Sequence, residues 1–169
     1  MNQEANVHIQ SLNGYLLCLS RLCGSNYSFF ASSYLAESEL DIFLSNLIAK
    51  WNEIESEANF SISKICKIEY KDLISEISGY IFNGVISSEN IAEIGTTNYI
   101  GRMLTEDISE YYGLTSTGIN KHGVFHPLIG SNVYRVHVKS NVFEESLYFV
   151  VRIENIFVLT CFGRKKSIT

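Results

Sequence analysis

Near residue 130 the apolar side chains change period, and that change limits the folds open to this chain. Tyr134, Val136 and Val138 alternate with Arg135, His137 and Lys139. Leu147, Phe149, Val151 and Ile153 alternate with Tyr148, Val150 and Arg152, and Phe157, Leu159 and Cys161 alternate with Val158 and Thr160. A period of two marks a strand with two unlike faces, so these runs predict a three-strand antiparallel meander. Glu154-Asn155 predicts a tight hairpin, with Asn tolerating a positive φ, and a longer turn over Ser140–Ser146 joins the first two strands. One face of this meander should pack on helices. The other should show Arg135, His137, Lys139, Tyr148 and Arg152 to water.

Upstream the period is helical. Leu40, Phe43, Leu44, Leu47, Ile48, Trp51 and Ile54 follow the i, i+3, i+4, i+7 rule. Ser38 is the expected N-cap, with Asp41 three residues on. A helix is also expected from about Gln3 to Cys23, with Ile9, Leu12, Leu16, Leu19 and Cys23 on one face and Gly24-Ser25-Asn26 as its stop. Residues 25–36, rich in Ser and aromatics, read as a connector. Residues 60–70 fit a strand and a helix equally. Further helices are expected over Lys71–Phe82 and, broken near Gly95, over Ser88–Tyr112. The reading is therefore α+β: one domain over 1–169, helical over 1–118, with antiparallel strands over 119–169.

The charge divides along the same line. Residues 1–110 hold fifteen acids against six bases, a net −9, and residues 111–169 hold three acids against seven bases, a net +4. A surface this acidic suits a basic partner. Its carboxylates cluster at Glu53, Glu55 and Glu57 and again at Glu106, Asp107 and Glu110, and these six are the candidate partner-binding residues. Paired carboxylates also serve acid–base chemistry, but here they fall on exposed helix faces.

Motifs that bring their own chemistry are scarce. Cys18, Cys23, Cys66 and Cys161 form no CxxC pair, and His122 and His126 sit beside Gly123 and Pro127 in what reads as a loop. No zinc site or cofactor is expected from them. The sequence has no GxSxG elbow, P-loop or GxGxxG. The apolar run Tyr15–Leu19 has no basic residue before it and is interrupted by Arg21, so it reads as a helix face and not a leader. No run is long enough for a membrane span. A cytoplasmic protein with no membrane partner is expected.

Two resemblances bear on function. Tyr134-Arg135-Val136-His137-Val138, Tyr148-Phe149-Val150-Val151-Arg152-Ile153, Phe157-Val158-Leu159 and Phe162-Gly163-Arg164-Lys165-Lys166 together resemble the closing meander of RelE-type ribonuclease toxins. That resemblance implies Arg135, Arg152 and Lys165 stabilising phosphate charge and His137 as acid or base. Those toxins are small and basic, whereas this chain is acidic and has extra helices. In size, acidity and helix-plus-sheet layout the chain resembles the immunity proteins of contact-dependent growth-inhibition systems. That second resemblance implies a non-enzymatic inhibitor of a basic nuclease toxin domain, with no direct contact to nucleic acid. The acidic first part favours the inhibitor, because an enzyme acting on polyanionic RNA gains nothing from it.

Overall fold

The computed structural model describes residues 3–69, 72–73, 76–77, 80, 132–153 and 155–167. In chain order these give α1 (Gln3–Cys23), β1 (Tyr27–Leu35), α2 (Leu40–Ile54), a 3-10 turn (Ser56–Ala58), β2 (Ser61–Ile68), β3 (Asn132–Lys139), β4 (Phe143–Ile153) and β5 (Ile156–Lys165). Among the described residues the strands form one five-stranded sheet in the order β1-β5-β4-β3-β2. Every neighbouring pair is antiparallel. The fold is α+β, as expected. The predicted meander is its centre, flanked by two strands from the acidic first part.

Both flanking strands refine the sequence reading. The ambiguous segment at 60–70 is β2, and the expected connector at 25–36 holds β1. Serines at 28, 32 and 33 hide the strand pattern of β1, yet its rings are used on both sides: Phe29 packs with Phe162, and Phe30 meets Trp51. The Ile153–Ile156 pairing fixes the two-residue hairpin read at Glu154-Asn155. The β3–β4 turn is shorter than expected, because Ser140 Oγ accepts hydrogen bonds from the backbone N–H groups of Val142 and Phe143 at 3.2 and 3.0 Å and β4 starts at once. Among the described non-glycine residues the positive φ falls on Asn59 (φ 47°), not on Asn155. Helix α2 begins one residue later than its expected cap, with Glu39 as N-cap and no side-chain capping bond.

The helices are shared between the two faces of the sheet, where a single covered face was expected. Successive strand residues point to opposite sides. Phe149 and Val151 join α1 residues Leu12, Leu16 and Leu19 in one buried cluster, which also holds Leu73 and Ile77 from the helical residues that follow β2. Tyr148 and Val150 join α2 residues Leu44 and Leu47 in the other. Strand β5 is therefore buried on both sides, and Phe157, Val158, Leu159, Thr160, Cys161 and Phe162 are each at most 1% exposed. The expected fourth helical region, Ser88–Tyr112, lies outside the described residues.

Two asparagines tie the helices to strand backbones. Asn13 of α1 donates Nδ2 to the Ala31 carbonyl and accepts from the Ala31 N–H, both at 2.6 Å. Asn52 of α2 makes the same pair with Phe60, donating at 2.9 Å and accepting at 2.7 Å. A residue's N–H and C=O point the same way in a strand, so Asn13 occupies the outward-facing groups of edge strand β1 and denies them to another strand. Replacing Asn13 by Ala leaves both groups unmade. Asn13→Ala should lower unfolding free energy by about 1–3 kcal/mol in urea titrations and promote association visible by size exclusion.

Candidate functional site

Helix α2 ends in an unusual way. Its apolar stripe buries Leu44 and Leu47, stacks Phe43 on Phe157 with ring centres 4.8 Å apart, and sets Trp51 against Phe60 at 5.4 Å and Tyr148 at 6.0 Å. The last residue of the stripe, Ile54, is 76% exposed. Around it stand Glu53, the C-cap Glu55 and, in the 3-10 turn, Glu57, all exposed. The last turn carries no basic residue. Carboxylates at a helix C-terminus face the negative end of the macrodipole, an arrangement that costs stability. Among the described residues none of the three makes a salt bridge.

The backbone here is firmly held. Glu55 N–H bonds the Trp51 carbonyl at 2.9 Å, and Ala58 N–H bonds the Glu55 carbonyl at 3.0 Å. Asn59 then reverses the chain in the left-handed region, which Asn tolerates better than most residues. Asn141, from the β3–β4 turn, donates its backbone N–H to Ala58 and its side-chain amide to the Glu57 carbonyl at 2.7 and 3.3 Å. The acids therefore sit on a rigid platform and not on a loose tip.

Beside the platform is a cavity of about 260 Å³ lined by Phe30, Trp51, Ile54, Phe60 and Phe143, with Glu55 and Lys165 contributing opposite charges. Its shape depends on Gly163. A Cβ at that position would fall 2.7 Å from Cδ1 and Cε1 of the Phe143 ring, so the ring can lie against β5 only over a glycine. Periodicity did not disclose this cavity, since its rings come from β1, α2, the approach to β2, and β4. The one available signal was Ile54 at the solvent end of an otherwise buried stripe. Of the six acids singled out from sequence, the structure gathers Glu53, Glu55 and Glu57; Glu106, Asp107 and Glu110 lie outside the described residues, as do His122 and His126.

The expected basic sheet face does not form as one surface. Tyr148 pairs with Val136 and Arg152 with Asn132, which puts Tyr148 and Arg152 on the side opposite to Arg135 and His137. Tyr148 is 2% exposed, and its burial pushes the phenol pKa well above the ordinary tyrosine range. Arg152 lies over the Phe157 ring at 5.6 Å. Lys165 pairs with Phe143 at one end of β4, while Arg152 pairs with Phe157 near the other. That separates them by roughly 30 Å at the usual strand rise. Arg135, Arg152 and Lys165 therefore do not converge on one phosphate. Arg135 is instead bound to Glu76 at 2.9 Å. On the same side Cys66 lies opposite Arg135 and Lys64 opposite His137, with Cys66 Sγ 3.9 Å from His137 Nε2.

Among the described residues no group of three or more His, Cys, Asp or Glu could hold a metal ion, and no helix is long and apolar enough to cross a membrane. No protein-family model matches the chain, and no curated protein matches it. Among solved structures, a crystal structure of citrus MAF1 is similar over 92% of this chain and 97% of that one, at 11% identity and a TM-score of 0.40. A likeness at that level carries no argument about function.

Gly163→Val should displace the Phe143 ring, shrink the cavity and cost about 1–3 kcal/mol. Urea titration reads the energy, and near-ultraviolet circular dichroism reads the ring.

Proposed function

We propose that this chain is a protein-binding module whose contact surface is the C-terminal end of α2: Glu53, Ile54, Glu55 and Glu57 beside the aromatic cavity. The observation that carries the reading is the set of exposed acids at the wrong end of a helix dipole, unpaired among the described residues and arranged around a 76% exposed isoleucine. The fold gains nothing from that arrangement, whereas a basic partner gains an anchor point ringed by complementary charge. Exposed apolar residues within a polar rim are the usual anatomy of such contacts. In its narrower form the partner is the basic domain of a nuclease toxin and this chain is its immunity protein. The acidic first part supports this, as does the dispersal of Arg135, Arg152 and Lys165, the three residues that the ribonuclease alternative would bring to one phosphate.

Co-expression with the product of the adjacent upstream gene, followed by pull-down and growth assay, tests the narrow form. A tight complex and rescue from the neighbour's toxicity are expected; growth arrest by this chain alone would overturn it. The surface itself is tested by Glu53→Lys and Glu55→Lys. Each should raise stability by about 0.3–1 kcal/mol through the dipole while slowing association with the captured partner and flattening its dependence on salt. Unchanged association would place the interface elsewhere.

A further inference from the structure

The four thiols have very different surroundings. Burial pushes Cys23 and Cys161 up to about 12, so both stay protonated and inert at neutral pH. Cys18 is exposed on α1. Cys66 is half-buried on β2, the outer strand among the described residues, and its sulfur lies 3.9 Å from His137 Nε2 on the neighbouring strand. Directly opposite Cys66 is Arg135, and directly opposite His137 is Lys64, so thiol, imidazole and two cations share one small patch of a single sheet face.

We infer that Cys66 and His137 form a nucleophile–base pair for thiol–disulfide exchange, and that the disulfide they accept is anionic. In the step, Cys66 Sγ attacks one sulfur of R–S–S–R while His137 Nε2 takes the thiol proton. A Cys66–S–S–R bond forms, the original S–S bond breaks, and the leaving thiolate RS⁻ recovers the proton from His137. The incoming disulfide is itself the oxidant, so no other reagent is required. Partial burial, together with Arg135 and Lys64, lowers the His137 pKa, while Glu76 acts in the opposite sense; the ring therefore remains a neutral acceptor through the neutral range. Glu76 already pairs with Arg135 at 2.9 Å. Lys64 and Lys139, both exposed on this side, make no salt bridge among the described residues and are left to attract an anion. The patch stands on different elements from the α2 platform, so the inference does not depend on the binding reading.

The test treats the full chain with dithiobis(nitrobenzoate), a dianionic disulfide, and in parallel with cystamine, a dicationic one. Peptide mass spectrometry measures each cysteine, and Cys18 in the same sample is the internal reference. With the anionic reagent Cys66 should react before Cys18. The Cys66-to-Cys18 ratio should be about tenfold higher than with cystamine and should fall as salt is raised. His137→Ala should slow Cys66 by about a hundredfold, the low side of general-base effects, and free imidazole should restore part of the rate. Lys64→Glu, an exposed change that spares the core, should reverse the preference between the two reagents. Faster modification of Cys18, an unchanged ratio in His137→Ala, or an unchanged preference in Lys64→Glu would each overturn the inference.

Discussion

The β4–β5 ladder is the constraint from which the rest of this fold follows. Eleven residues of β4 face ten of β5, and the centre of that ladder is closed to water on both sides. A strand pair dry on both faces needs an apolar layer above and another below it. Helix α1 supplies one and α2 the other. Among the described residues such a centre leaves two outer strands, β1 and β2. At β1 the Asn13 amide takes up the outward backbone groups. At β2, Lys64, Lys67 and the register shift between Ile62 and Lys64 do comparable work, since charge and bulges both discourage a further strand.

This arrangement drives polar chemistry to the periphery. The sheet centre is filled by packed rings and aliphatic side chains, so reactive or partner-seeking groups are left where a layer runs out. One such place is the end of α2, where the stripe outruns the sheet and Ile54 emerges among carboxylates. Another is the β2–β3 corner, where Arg135 and His137 lie on the α1 side of the sheet but stay only partly covered. The two places differ in sign, one acidic and one basic. The basic corner draws Lys64 and Lys67 from the acidic first part and Lys139 from the basic tail, so pairing across the sheet and not position along the chain sets its sign.

The same two-sided burial explains what sequence could and could not disclose. Helix α2 was legible through Trp51 because one face is wet, and its period survives. The bounds of α1 were legible for the same reason. In β4 the run Tyr148-Phe149-Val150-Val151 is buried at every position, so no polar residue marks which side is which. Only pairing with β3 settles the phase, and a slip of one residue carried Tyr148 and Arg152 to the wrong face. Strand β1 failed differently, because Ser28, Ser32 and Ser33 stand among its rings and dilute the signal. Glu53, Glu55 and Glu57 were visible as a charge cluster. The aromatic cavity beside them was not, because it is assembled from residues far apart in the chain.

The Asn13 clamp has a consequence for the lifetime of the molecule. Asn13 is followed by Gly14, which is exposed and has open space around it. Asn-Gly is the dipeptide most prone to succinimide formation, in which the glycine nitrogen attacks the asparagine side-chain carbonyl. While both atoms of the amide are held on Ala31 and the segment stays helical, that carbonyl is kept from its neighbour. Each local opening of α1 releases it. Hydrolysis of the imide then leaves aspartate or isoaspartate, and in either the new carboxylate has no hydrogen to give to the Ala31 carbonyl. The strand edge that the amide guards would thus be lost by slow chemical ageing and not restored by refolding, at a rate set by the fraction of time that α1 stands open at Asn13.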